Sequence, residues 1–188
     1  MHTILSVIIV AILAFLGTMF DNFFAFAAQL IVTEKKRFRR VSYAQALGVA
    51  TLLVLAGGIG SLLTPIPLPW VGLLCVAPWA LAWHAWRQRQ KPPTEIFRRG
   101  ALTTFAMTLA LGGDNLAVWI PLLRADGFFH SVVTVIVFAA LELLFIVTAQ
   151  WIAGRPGLVE WGRKHEPSFL PWLYFGLGVL ILIECGSL

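Results

Sequence analysis

The segment LGGDNLAVWIPLL, residues 111–123, places Asp114 and Asn115 in the middle of an apolar run, and GTMFDNF, residues 17–23, contains the same pair. Asp114 follows Asp21 by 93 positions, about half of the 188 residues. Acidic residues are rare in long apolar runs, because an ionised carboxylate in a bilayer is costly. Two such pairs at this spacing indicate an internal repeat of two halves.

The composition around these pairs is that of a membrane protein. Hydrophobic residues make up 59% of the chain and charged residues 12%, with a mean hydropathy of +0.85. Since a helix needs about 20 apolar residues to cross a bilayer, the number of long apolar runs sets the number of spans. We expect an all-α membrane protein with six transmembrane helices, at residues 4–32, 43–63, 70–86, 101–123, 132–153 and 169–183.

The basic residues predict how these helices are oriented. The five loops at 35–40, 64–69, 87–99, 124–130 and 154–167 contain five, none, five, one and three Lys or Arg. Positive charge marks cytoplasmic loops, so the first, third and fifth loops are expected inside and both termini outside a plasma (inner) membrane. Residues 1–90 and 91–188 then form two inverted three-helix repeats. The net charge of +5 is explained by topology, and we expect no nucleic-acid partner.

The two repeated pairs are candidates for a metal site. Asp21 and Asp114 lie at similar distances from the expected cytoplasmic loops, so an inverted repeat brings both Asp-Asn pairs to one depth. Two carboxylates and two carboxamides, from Asp21, Asn22, Asp114 and Asn115, make an oxygen-rich cation site. The alternative is that each aspartate only forms hydrogen bonds between helices.

Further polar residues accompany these pairs. Glu142 is also expected near mid-membrane, either as a fifth ligand or as a proton carrier, which would allow proton-coupled exchange. Thr18 shares a helix face with Asp21 and is a candidate ligand, although a hydrogen bond to its own helix is an equal alternative. Gly112 and Gly113 are expected to loosen the backbone before Asp114. Glu184 is expected to reach the interface.

The remaining notable residues favour structural roles. Cys75 and Cys185 lack metal-ligand spacing and are expected to pack as small apolar residues. The tryptophans, Trp119 included, are expected near span ends as an aromatic belt. Three glutamines, Gln29, Gln45 and Gln150, are expected to join helices. No cofactor is expected, because the metal ion is the transported substrate.

The two motifs resemble those of the CadD-type cadmium resistance transporter family, within the LysE-like superfamily of small exporters. TMFDNFFAF, residues 18–26, and LGGDNLAVWIPLL carry the resemblance, which extends over the whole chain. It implies efflux of a divalent metal at Asp21, Asn22, Asp114 and Asn115. Trp119 stands where the family usually has Tyr, and Met19 where it often has Asn. An all-oxygen site suits manganese, magnesium or calcium better than cadmium, so the metal stays open.

Three other functions are compatible with parts of the pattern. Two carboxylates can also hold the ammonium groups of a basic amino acid, as an exporter of lysine-like substrates requires. An intramembrane aspartyl protease uses two aspartates, but its G-x-G-D signature needs Gly where this chain has Leu111. The third alternative is a scaffold protein that transports nothing, and only the acidic residues inside the apolar runs argue against it. The oligomeric state stays open, with a homodimer compatible with so small a chain. Small residues of the second helix would permit close packing either within one protomer or between two: Gly57, Gly58, Gly60 and Ser61.

Overall fold

The computed structural model describes residues 3–67, 70, 76–88 and 100–184, and all regular elements in this part are helical. A 3₁₀ turn at Lys35–Arg37 accompanies seven helices. These are α1 (Ile4–Thr18), α2 (Phe20–Ile31), α3 (Phe38–Leu62), α4 (Val76–Gln88), α5 (Ala101–Leu111), α6 (Gly113–Ala153) and α7 (Pro156–Glu184). The expected all-α membrane class is confirmed.

The described helices contain between two and four candidate membrane spans. Lys35–Leu62 and Gly127–Ala153 are each long and apolar enough to cross a bilayer. The pairs α1 with α2 and α5 with the start of α6 count as one further span each, if a broken helix is allowed. The expected helix at 169–183 lies inside α7, and that at 70–86 is described only at Trp70 and from Val76 onward.

Three expected loops are shorter in the structure than predicted. The basic segment 35–40 is a 3₁₀ turn followed directly by the start of α3. Segment 124–130 is helical within α6 except at Gly127, whose φ of 68° and ψ of 173° only glycine adopts readily. Most of segment 154–167 is helical, because α7 already begins at Pro156, and proline is favourable at a first helical position.

Two expected single helices are broken in the middle. Between α1 and α2 the chain bends by 54° at Met19, and between α5 and α6 it bends by 60° at Gly112. Met19 has φ −96° and ψ 6°, and Gly112 has φ −80° and ψ 10°, so both breaks use nearly the same backbone conformation. The glycine break was expected from the sequence, whereas the break at Met19 was not. Pro121 remains inside α6 without ending it.

Each half contributes one broken helix that packs on a helix of the other half. Phe15 of α1 contacts Phe138 and Phe145 of α6 edge-to-face, with ring centroids 5.5 and 6.5 Å apart. Thr108 of α5 donates a 2.6 Å hydrogen bond to the Oε1 of Gln45 on α3. Helix α4 packs mainly on α7, which also contacts α2. The core therefore lies between the two halves of the chain.

These two contacts correspond to each other in sequence. Thr108 follows Phe15 by 93 positions, and Phe138 follows Gln45 by the same number. The corresponding positions thus pair in both places, once through aromatic rings and once through a hydrogen bond. We call the α1/α6 contact the aromatic seam and the α3/α5 contact the polar seam.

The small residues of α3 have different surroundings. A Cβ at Gly60 would lie 3.3 Å from the backbone oxygen of Ile120, so this glycine serves close packing within the chain. A Cβ at Gly57 or Gly58 would meet no atom within 4 Å. At Gly48, by contrast, a Cβ would lie 2.8 Å from Thr108. Close approach of α5 to α3 therefore depends on Gly48.

We expect Gly48→Leu to destabilise the protein, because the new side chain would force α3 and α5 apart. Overpacking of this kind costs about 1–3 kcal/mol, which corresponds to a fall in melting temperature of roughly 3–10 °C. Thermal unfolding in detergent measures it. Gly58→Leu is the matched control, because its position on the same helix is open, and it should leave the melting temperature unchanged. Equal effects of the two substitutions would contradict this packing of α5 on α3.

Candidate functional site

Asp21 and Asp114 occupy the same position relative to the two helix breaks. Each is the second residue of the helix that starts after the break, and the asparagine is the third. In both places the aspartate Oδ1 accepts the backbone N–H of the asparagine, at 2.7 Å for Asn22 and 2.9 Å for Asn115. Helix N-termini have free N–H groups and a partial positive charge, which stabilise a carboxylate there. The broken helices thus explain how apolar segments hold acidic groups.

The two breaks contact each other. The Nδ2 of Asn115 lies 3.5 Å from the Sδ of Met19, the residue at which the first helix breaks. One turn further along α6, the Nε1 of Trp119 donates a 3.1 Å hydrogen bond to the Oγ1 of Thr18. The structure therefore brings the second Asp-Asn motif against the break that precedes the first.

The site contains buried polar atoms that have no partner. Asn22, Asp114 and Asn115 are buried, whereas Asp21 is half-buried. Neither the Oδ1 of Asn115 nor the Nδ2 of Asn22 has a hydrogen-bond partner. A buried polar atom without a partner costs about 1–3 kcal/mol, so these carboxamides are suited to receive a ligand. Rotation of a carboxamide group presents its oxygen where its nitrogen was.

Thr18 has structural contacts that occupy much of its hydroxyl group. It donates to the backbone oxygen of Ala14 at 2.9 Å and accepts from Trp119. Such bonds to the preceding turn bend helices, and Thr18 is the last residue before the break. The hydroxyl thus holds the break in place, which is the alternative expected from the sequence, and it retains one lone pair for a ligand.

Trp119 is not part of an interfacial belt. It is fully buried, stacks on Phe15 at 6.4 Å between ring centroids and contacts Phe138 at 4.9 Å. The expected interfacial role is wrong, because Phe15 and Phe138 enclose this ring in the core. It closes the aromatic seam directly beside Thr18.

Glu142 is a further buried acid of the second half, and its carboxylate has Gln45 as a neighbour. In the described residues no group of three or more His, Cys, Asp or Glu is placed to hold a metal ion. The three acids are thus not gathered into one metal-binding group.

Other polar residues complete the surroundings of the site. Tyr174 of α7 donates a 2.7 Å hydrogen bond to the Oδ2 of Asp114, and sequence reasoning missed it. Its signal was that the chain has only two tyrosines, one of them inside a span. Gln29 donates to Thr104 and Gln150 to Ser42, which are the contacts between helices expected for glutamines. Cys75, Cys185 and the side chain of Glu184 lie outside the described residues.

The two motifs place carboxylate and carboxamide groups at the starts of two helices. Two carboxylates and two carboxamides supply up to eight oxygen and nitrogen atoms, at the N-termini of two helices that start inside apolar segments. In transporters, discontinuous helices of this kind place polar groups at mid-membrane without exposing unpaired backbone to lipid. A hard cation is the ligand that such an oxygen set prefers.

Comparisons with known proteins give one match. A family model described as "Cadmium resistance transporter" matches residues 15–188, which include both motifs. Neither a curated protein nor a solved structure matches the chain.

We expect Tyr174→Phe to destabilise the protein, because it removes the hydroxyl that donates to the buried Asp114. A hydrogen bond to a charged group contributes about 1.5–3 kcal/mol, and denaturation in detergent should show a loss of this size. Tyr43→Phe is the matched control, since Tyr43 is 65% exposed and the substitution is the same. Equal stability of the two variants would show that the Tyr174 hydroxyl does not support Asp114.

Proposed function

We propose, since the chain belongs to the cadmium resistance transporter family, that it exports a divalent metal cation through a site made by its two Asp-Asn motifs. Asp21, Asn22, Asp114 and Asn115 are the proposed ligands. The observation that carries the proposal is the contact between the two helix breaks, which sets Asn115 against Met19. Thr18 is an additional candidate ligand through its remaining lone pair.

The chemistry of these residues fits a divalent ion. Two carboxylates neutralise two positive charges, so a bound ion forms a neutral complex that crosses an apolar environment at a lower cost. The unpartnered Oδ1 of Asn115 adds a ligand atom that is already free of water. No buried nucleophile with an adjacent base accompanies the aspartates among the described contacts, and we propose a transporter without enzymatic activity.

We further propose that the fold consists of six spans arranged as two inverted three-helix repeats. Two broken helices with the same bend, the same aspartate position and the same partner positions 93 residues apart support a duplicated unit. The metal then lies where the repeats meet, and alternating access follows from motion of one repeat against the other.

Glu142 is the proposed proton carrier. It is buried beside Gln45 and has no acidic counterpart in the first half, where Val49 stands 93 positions earlier. Titratable residues on the helices that pack against α6 include Asp21, Tyr43 and Tyr174, while Asp114 lies on α6 itself. A carboxylate separate from the metal ligands can carry a proton while the metal site is empty.

The polar seam supplies a route from Glu142 towards water. Gln45 is a neighbour of Glu142 and accepts from Thr108, while Thr104, one turn earlier on α5, accepts from Gln29 at 2.7 Å. The row continues towards Gly100, which lines a cleft of about 700 Å³ together with Thr33, Lys36, Arg37 and Arg40. Polar contacts admit water more readily than the aromatic seam, so we propose that protons leave along this row.

The exposed side chains and the basic cleft indicate how the protein is placed in the membrane. Exposed apolar side chains on α3 and α6 are expected to face membrane lipid. The basic cleft is the proposed cytoplasmic end, in a plasma (inner) membrane, with both termini on the other side. The open positions Gly57 and Gly58 would permit a homodimer through α3.

We expect purified protein in liposomes to carry cadmium or manganese, measured with an entrapped metal indicator. Asp21→Asn and Asp114→Asn should each lower the initial rate at least about tenfold, which corresponds to about 1.4 kcal/mol of lost interaction with the ion. Glu34→Gln is the matched control, because Glu34 is an exposed acid paired with Lys36 at 3.0 Å and should be dispensable.

Normal transport by both aspartate variants would show that the motifs do not bind the ion. If the parent protein moves no metal but moves lysine, the basic amino acid alternative is correct.

We expect Glu142→Gln to separate metal binding from proton movement. The variant should bind metal with an affinity close to that of the parent protein, because its side chain is not among the proposed ligands. Metal-driven pH change inside liposomes, followed with an entrapped pH indicator, should be lost. Glu160→Gln is the control, because Glu160 is an exposed acid on α7 that does not line the basic cleft. A strong loss of metal affinity would instead place Glu142 among the ligands.

A further inference from the structure

Met19 brings a sulfur atom to a site that the sequence predicted to contain only oxygen ligands. Its side chain is 2% exposed, and its Sδ lies 3.5 Å from the Nδ2 of Asn115. The Oδ1 on the same carboxamide is the buried atom that has no partner. The sulfur is thus adjacent to a group that we propose as a metal ligand.

The position of Met19 in the chain holds this sulfur in place. Met19 is the break residue, with its backbone N–H bonded to the oxygen of Phe15 at 2.9 Å and its own oxygen bonded to the N–H of Phe23 at 2.9 Å. Asp21 follows two residues later at the start of α2. The fixed backbone on both sides leaves the thioether inside the core, next to the contact between the breaks.

The second half offers no equivalent sulfur. The residue 93 positions after Met19 is Gly112, and a Cβ there would lie 2.3 Å from Leu52 and 3.0 Å from the backbone oxygen of Thr108. A side chain therefore cannot enter from that break without moving its neighbours. The two motifs are alike in their Asp and Asn but differ in this one soft donor.

A soft ligand distinguishes between metal ions that a site with only oxygen ligands does not distinguish. Thioether sulfur prefers soft ions such as cadmium, whereas manganese, magnesium and calcium prefer oxygen. A weak N–H···S contact to Asn115 is a small loss when a metal takes its place. A single thioether among hard ligands thus raises affinity for cadmium and contributes little for manganese.

We propose that Met19 is a metal ligand that gives the site its preference for cadmium over hard divalent ions. The proposal rests on the proposed function, since it assumes that the Asp-Asn motifs bind the transported metal. In this site the thioether of Met19 selects between metal ions, and the two aspartates neutralise the charge of the bound ion.

The test is the ratio of cadmium to manganese transport in Met19→Leu, which keeps the volume of the side chain and removes the sulfur. The same liposome assay measures both metals. We expect the ratio to fall on the order of tenfold, as is typical when a metal's immediate surroundings are altered, with manganese transport unchanged. Met107→Leu on α5 is the matched control and should keep the parent ratio.

Binding provides a second measurement that does not depend on transport. The cadmium K-edge X-ray absorption spectrum of the loaded protein should contain a sulfur neighbour that is lost in Met19→Leu and kept in Met107→Leu. An unchanged ratio, an equal loss of both metals or a spectrum without sulfur would overturn the role of Met19. A parent protein that moves neither metal would overturn the proposed function itself, and the two failures are therefore distinguishable.

Discussion

The requirement that backbone N–H and C=O groups be paired inside a bilayer governs this structure. A helix can break at mid-membrane only where protein covers the break. Met19 and Gly112 are both buried, and the space that a side chain at Gly112 would need is occupied by Leu52. After each break an aspartate accepts the N–H of the next residue. The acidic groups that suit a metal therefore also complete the backbone pairing that the breaks disturb.

The aromatic seam and the polar seam join corresponding positions through different chemistry. Phe15 and Phe138 meet in the aromatic seam, where close ring contacts exclude water. Thr108 and Gln45 occupy the corresponding positions in the polar seam, where a hydrogen bond replaces the rings. Ring packing and hydrogen bonding respond differently to hydration, because only the second can exchange its partner for water. Two contacts between corresponding positions, 93 residues apart, thus differ in how they respond to water.

The sequence predicted the all-α membrane class and singled out the two Asp-Asn pairs, because apolar runs and intramembrane acids are strong local signals. It failed where the outcome depends on tertiary contacts. The break at Met19 has no glycine or proline at that residue to indicate it, and the burial of Trp119 depends on Phe15 and Thr18 of another helix. Tyr174 was missed since its hydroxyl meets Asp114 across 60 positions of sequence. The turn predicted within 124–130 is present but shorter, because the single residue Gly127 makes it.

The contact between Asn115 and Met19 also has a consequence for biosynthesis. The chain grows from its N-terminus at about 5–20 residues per second, so the first break precedes its partner in the second half by roughly 5–20 s. During that interval Asp21 and the side chain of Met19 have no second half to cover them. Water, lipid headgroups or the insertion machinery must serve in its place. Until the second half has been made, the polar groups of the first half depend on contacts with molecules other than this chain.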